Sequence, residues 1–504
     1  MGLVRISLAL ALILAFLLRS IYTLYSGLPY NVDSWPLIAG ASTFTANPNA
    51  RIFDDMYYDG YNNRWPYTII ATGLLALVTG SKVEDAGRLL GPALGSIAVL
   101  MLYAIARRLT SPRNAGLAAL IVASAGTLFA FEGGLTKEVY ARPLVLVYVL
   151  AAIYAWNPPV VAILALSTVM AHHVSSIALI SIIAGVLVAT ILYDLARGVR
   201  VLSLARLAVA LTTPAILLLA HVLSVAPGFW GNVFKLGNLA PASFYAITAF
   251  SIAAFTLLPS QRVTYRHRIL FALAISIPAL AMTLIAMVAP PTPQTTPLGP
   301  YMALYATPLL LSPIAAYTTR ASREQAVIAG GWLVGMGVPM AYSAFSGDPI
   351  AGAAVHRFIN YTFYAVTLGY ALGATWALKA QAVLAVLVAP LIAKGIVLQE
   401  DPYFHFELYK EGDVELARIA RLSTKGVHGD SKLEYLAYMY KSEVMPPPLR
   451  VQDIRKPLAV HQENLAKGFW VAGIVYGSVH DIIEMSRRSS TAYSSGSHLI
   501  ILPP

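Results

Sequence analysis

Along the first 398 positions, apolar runs separated by short polar turns recur at about 15–22 residues, the length that crosses a bilayer as a helix. Thirteen are read as spans: 4–25, 88–106, 114–131, 141–156, 159–173, 175–193, 204–224, 243–258, 269–289, 300–317, 325–344, 361–377 and 380–398. The run at Pro66–Val78 is shorter and follows a polar stretch, so it is read as a helix lying at the surface. After Leu398 the pattern changes. Val414–Leu422 and Leu433–Tyr440 have helical periodicity, Phe469–Tyr476 is a β-rich apolar run, Ser478–Arg488 reads as a further helix and His498–Leu502 as a buried strand. Met445-Pro446-Pro447-Pro448 breaks this region in the middle. The pattern predicts an α-helical polytopic membrane protein with about 13 transmembrane helices over 1–398, and a small α/β domain over 399–504.

Charge sharpens the division. The chain is 58% hydrophobic and 12% charged, against about one-quarter charged for soluble domains. From Gln399 onward there are 12 Lys/Arg and 13 Asp/Glu, which leaves 23 basic and 11 acidic residues for the rest. The net charge of +11 therefore arises almost wholly in the membrane part, and nucleic acid is not the partner it points to. With no cysteine, thiol catalysis and Cys-based metal sites are excluded. With the N-terminus in the cytoplasm, the inside loops carry Arg107, Arg108, Arg113, Arg197, Arg200, Arg206, Arg262, Arg266, Arg268, Arg320, Arg323 and Lys379. Most acids fall outside, Asp33, Glu84, Asp85, Glu132, Glu138 and Asp348 among them, as the positive-inside rule requires. The predicted topology is N-in and C-out, in the cell membrane, with the tail extracytoplasmic. No small-residue cleavage site follows residues 1–26, so they are read as a retained span.

The outer face then gathers the candidate chemistry. The first external loop, 27–87, is about sixty residues long and holds six of the acids together with many Tyr and Trp. At its start Asn31-Val32-Asp33-Ser34-Trp35-Pro36 puts a carboxylate at membrane depth, where ionisable groups tend to be functional; the plainer reading of Asp33 is a helix N-cap. The second loop places Glu132, Lys137, Glu138 and Arg142 within eleven residues, readable as a site or as a solvated, self-neutralising turn. His172-His173 is poor chelating spacing, because i and i+1 point apart on a helix. It reads as a pair of interfacial caps or as an imidazole facing a phosphate. Arg357 stands at the mouth of a late span, either snorkelling to the surface or aimed at a phosphate.

These features together resemble the C-type superfamily of integral-membrane glycosyltransferases. They are the long first loop opened by an aspartate, a surface helix within it, Ala86-Gly87-Arg88-Leu89-Leu90-Gly91-Pro92 leading into a span that ends Tyr103-Ala104-Ile105-Ala106-Arg107-Arg108-Leu109, and a following span that empties into a short acidic loop. The chain looks most like the catalytic subunit of oligosaccharyltransferase, through residues 1–156 and then through topology. The resemblance implies transfer of a sugar or glycan from a polyprenyl-phosphate or -pyrophosphate donor to a protein or glycan acceptor at the outer leaflet, among membrane lipids. Asp33 matches the catalytic aspartate of the first loop, and Glu138, with Glu132 as the alternative, the acidic residue of the second. Arg357 is similar to the donor-phosphate arginine, with Arg142, His172 and His173 as further phosphate-facing candidates. Asp33 and Glu138 could hold Mg²⁺ or Mn²⁺, hard cations preferring oxygen ligands, although other C-type members act without metal.

Three departures bear on the acceptor. No Trp-Trp-Asp-Tyr-Gly signature is present, the late loop Ala289–Gly299 has no acid, and the tail is short for that enzyme. An acceptor other than an asparagine sequon is expected. A transporter would show inverted repeats and mid-span acids, and neither is apparent. A membrane scaffold displaying the tail needs no acidic first loop.

Overall fold

The computed structural model describes residues 2–55, 60–229, 322–345, 355–372, 375–398, 407–423, 426–448, 453–461, 464, 468–471, 474–476 and 479–502. The expected spans 243–258, 269–289 and 300–317 and the loop Ala289–Gly299 lie outside these residues. Helices are numbered here over the described residues.

Each expected span within the described residues falls mainly on helix. The helices are α1 (Gly2–Ser26), α4 (Val83–Leu109), α5 (Pro112–Ser124) with α6 (Gly126–Glu132), α7 (Lys137–Tyr154), α8 (Pro158–Ala171), α9 (His173–Arg197), α10 (Leu204–Ser224), α11 (Arg323–Phe345), α12 (Val355–Leu372) and α13 (Thr375–Val397). Four are long and apolar enough to cross a membrane: Ser7–Ser26, Val83–Leu109, His173–Leu195 and Leu204–Ser224. Leu10, Ile13, Leu17, Ile163, Ile216, Leu223 and Leu387 point outward, as lipid-facing side chains do. The chain is a membrane protein, mostly helical.

Helix packing depends on small residues. Gly185 of α9 meets Gly331 and Gly335 of α11 so closely that a Cβ on any of them would enter the facing backbone. Trp332 of α11 is fully buried, and its indole Nε1 donates to the Tyr361 carbonyl of α12 at 3.1 Å, which fixes the rotation of α12. The run 114–131 does not form one helix. Arg19 of α1 donates to the Ala123 carbonyl at 3.1 Å, and the chain turns at Ala125 before α6 carries Glu132 inward.

In the first loop, α2 (Ser34–Ala46) and α3 (Tyr67–Thr79) pack together and on α4. The tail supplies α14 (Glu411–Ala420), α15 (Ser431–Tyr440), α16 (Val479–Arg488) and a five-stranded sheet. Its order is β2 (Val444–Met445), β1 (Val427–His428), β3 (Leu458–His461), β7 (His498–Ile501), β6 (Thr491–Ser494). Strands β2, β1 and β3 run parallel, whereas β7 is antiparallel to β3 and β6. Phe469–Tyr476 is a separate pair, β4 (Phe469–Val471) and β5 (Ile474–Tyr476), not one strand. The tail is seated on the first loop: Val32 and Trp35 share an apolar cluster with Tyr409, Val414, Leu416 and Leu433, and the Trp35 and Tyr409 rings meet edge-on at 5.1 Å.

Candidate active site

The second loop is not a solvated turn. Glu132, Lys137, Glu138 and Arg142 are all buried, beneath the start of the first loop. Gly133 and Gly134 permit this, because a Cβ on either would overlap the Tyr22 ring or the Tyr30 carbonyl. Thr136 accepts the Val139 N–H at 3.1 Å and so starts α7. That places Glu138 in its first turn and Arg142 one turn later on the same face.

From this turn an alternating ladder of charge runs outward. Glu132 takes Arg19 Nε at 2.6 Å on one oxygen, and on the other Arg142 Nη1 and the Tyr364 hydroxyl, the latter at 3.2 Å. Arg142 turns its Nε and Nη2 to Glu138 Oε1, at 3.2 and 2.5 Å. Glu138 Oε2 lies 3.7 Å from Arg357 Nε, and Arg357 Nη2 reaches Asp33 Oδ2 at 3.5 Å. Three carboxylates thus alternate with three guanidiniums. Buried charges survive only when so paired. Exposure rises along the ladder from 0% at Glu132 to 26% at Arg357 and 39% at Asp33, so the outermost pair is the one open to a ligand.

Asp33 sits at the N-cap of α2, yet its side chain makes no capping bond. Its carboxylate is directed at Arg357 instead, which removes the plain capping account of this residue. Tyr435 of the tail lies close to the same pair, and burial together with the Asp33 charge holds its hydroxyl above the ordinary range.

The histidines hold different posts. His172 Nε2 is 3.2 Å from Arg357 Nη1, and its Nδ1 is 2.8 Å from Ser175 Oγ. A guanidinium can only donate, so Nε2 accepts and Nδ1 carries the proton toward Ser175, which also accepts from the Tyr361 hydroxyl at 2.8 Å. Both ring nitrogens are engaged, and His172 orients Arg357 from behind. His173 lies in an aromatic cluster with Trp65 (4.6 Å) and Phe229 (4.7 Å). His172 occupies the cap position between α8 and α9 without a side-chain capping bond, and both histidines are buried rather than interfacial. Beside them the Lys137 ammonium stands 3.7 Å above the Tyr61 ring and 5.5 Å from that of Trp65.

The sequence reading thus meets its own residues in one place: Asp33, Glu138, Arg142, His172 and Arg357 form one connected cluster, with His173 beside it. It named Lys137 only as one charge of the second loop, and did not single out Tyr61, Ser175, Tyr361 or Tyr435. Only the aromatic richness of the first loop hinted at Tyr61 and Trp65.

A divalent ion held by Asp33 and Glu138 does not suit this arrangement. Arg357 contacts both carboxylates, and Glu138 is further occupied by Arg142. Among the described residues no three His, Asp or Glu side chains converge on one point. The positive charge available to a phosphate here is that of the protein's own cations.

No family model matches the chain, and no curated protein does. Among solved structures, it is similar to the crystal structure of ArnT from Cupriavidus metallidurans bound to undecaprenyl phosphate, at 12% identity and a TM-score of 0.41, over 99% of this chain and 98% of that chain. It is similar also to the same protein in the apo state, at 11% identity and a TM-score of 0.39, over 99% and 97% of the two chains. At these values the likeness sets no residue-by-residue correspondence.

Proposed function

We propose that this protein is a membrane glycosyltransferase that moves a sugar or glycan from a polyprenyl-phosphate or -pyrophosphate donor to an acceptor at the outer face of the membrane. One observation carries the reading: carboxylates from two separate loops meet on a single guanidinium whose outer side is open. A non-catalytic scaffold has no use for a half-exposed Asp–Arg pair backed by a buried ionic ladder.

In this reading Asp33 orients the acceptor hydroxyl and takes its proton as the oxygen attacks the anomeric carbon. The bond from that carbon to the phosphate oxygen breaks, and its electron pair leaves with the polyprenyl phosphate. Negative charge grows on the leaving phosphate, where Arg357 and Lys137 supply fixed positive charge in a partly dehydrated setting. Glu138, Arg142 and His172 hold the Arg357 fork in place.

The test uses the purified full chain in lipid nanodiscs with a polyprenyl-linked sugar extract from its own source, and glycan transfer followed by mass spectrometry. Asp33→Asn keeps size and hydrogen bonding but cannot accept a proton. It is expected to lower turnover by roughly 10²- to 10⁴-fold without unfolding the protein. Full activity in Asp33→Asn would overturn the proposal.

A further inference from the structure

Asp33 follows a turn that is closed locally and anchored on both sides by other parts of the chain. Asn31 has a positive φ of 75°, a left-handed conformation uncommon outside Gly that Asn adopts more readily than most residues when its side chain bonds the local backbone. Its Oδ1 accepts the Asp33 N–H at 2.9 Å, and its carbonyl accepts the Ser34 N–H at 3.1 Å, so the side chain closes the turn that aims Asp33. On one side the turn is anchored by the second loop: Ser34 Oγ donates to the Tyr30 carbonyl at 2.5 Å and accepts the Leu135 N–H at 2.9 Å.

On the other side it is anchored by a residue 375 positions away in sequence. Glu407 Oε2 accepts the Val32 N–H at 2.8 Å, and the Glu407 carbonyl accepts the Asn31 N–H at 3.0 Å. Two consecutive backbone donors of the turn are thus satisfied by one tail residue. The same stretch is fixed by Tyr409, which stacks edge-on against Trp35 and donates its hydroxyl to the Lys432 carbonyl at 2.9 Å.

We infer that Glu407 is a positioning residue for Asp33: through its bonds to Asn31 and Val32 the tail holds the catalytic turn, and the tail is part of the transfer machinery. This rests on the transferase reading above. Glu407 touches the backbone of the turn and neither donor nor acceptor, so its loss should misplace the carboxylate and leave donor binding alone. A displacement of about one ångström in a reacting group costs on the order of 10²-fold in rate.

The experiment compares Glu407→Gln with Glu407→Ala in the full chain. The amide oxygen of Gln can still accept the Val32 N–H, whereas Ala cannot. Expected are a Gln variant within about twofold of wild type and an Ala variant about 10- to 100-fold lower in kcat, with KM for the lipid donor changed by less than about twofold. Hydrogen exchange over residues 27–35 supplies a readout independent of catalysis: protection of this segment should fall in the Ala variant and persist in the Gln variant. Should Glu407→Ala not fold, Glu407→Asp, which withdraws the carboxylate by one methylene, is measured by the same two criteria. The inference is overturned if the Ala variant keeps wild-type kcat and protection, or if Gln is as impaired as Ala. If wild type transfers no polyprenyl-linked sugar, the transferase reading falls, and the exchange experiment still decides whether Glu407 holds the turn.

Discussion

Asp33 and Arg357 are 324 positions apart, yet Oδ2 of the first lies 3.5 Å from Nη2 of the second at the open end of an otherwise buried ionic ladder. The pair is half-exposed, so solvent screens it and it adds little to stability. Its place is better explained by a ligand that takes over the guanidinium. Arg357→Ala should therefore weaken binding of a polyprenyl phosphate, the donor class proposed above, by about 10- to 100-fold, the loss of one charge-assisted hydrogen bond. Titration of the lipid into purified protein checks this. Unchanged affinity would remove Arg357 from the phosphate site.

The inner end of the ladder should behave oppositely. Glu132 is fully buried between Arg19 and Arg142; without it Arg19 would be a desolvated, uncompensated charge, while Arg142 would keep Glu138. Glu132→Ala is expected to cost on the order of 3–5 kcal/mol, as breaking buried ion pairs does. Thermal unfolding in detergent should show a clear drop in midpoint. A midpoint equal to wild type would mean that the ladder is not what holds α1, α6 and α7 together.

Stability should also depend on pH through Glu407. Burial pushes its carboxyl up from 4.5 to about 8; the Val32 N–H lowers it, the Asp33 charge adds to the rise, and Lys432 and Arg357 oppose it. A raised carboxyl means that the folded form keeps its proton where the unfolded chain has lost it. Its contribution to stability is fully present below about pH 4.5 and is lost as pH rises toward 8, beyond which it is constant. Glu407→Gln has no such proton. The midpoint of the Gln variant relative to wild type should therefore rise between pH 5 and pH 8. A pH-independent difference would show that Glu407 titrates normally.

The cluster was legible because charge is rare in this chain. Among long apolar runs, Asp33, Glu138 and Arg357 stood out by residue type and by place at span ends. Roles were harder to read than membership. His172 read as an interfacial cap or a phosphate-facing imidazole, whereas its posture is set by Ser175 and Arg357, and a bare sequence cannot show which groups its ring nitrogens meet. Glu407 was hidden for the opposite reason, being one acid among many in a tail of ordinary composition. The break between α5 and α6 carries no Pro; it is made by Arg19 taking the Ala123 carbonyl across helices. In the tail the short strands β1, β2, β3 and β6 are placed by pairing partners rather than by local pattern, and so escaped notice.

Orientation is the last expectation to test. α4 begins with Glu84 and Asp85 and ends with Arg107 and Arg108, and exposed Arg113 opens α5. Such placement also suits the helix macrodipole, with acids at the start and cations at the end, so one helix does not decide the matter. The bias repeats at several predicted inside loops, however, and this is what the positive-inside rule weighs. Because the chain has no cysteine, single cysteines report cleanly. Ser111→Cys lies at the exposed α4–α5 turn, and Leu422→Cys lies in the tail at a site 79% exposed. An impermeant thiol reagent added to intact cells should label Leu422→Cys and spare Ser111→Cys until the membrane is opened. The reverse pattern would put the tail, and with it Asp33 and Arg357, on the cytoplasmic side, and donor lipids would then have to be presented from the inner leaflet.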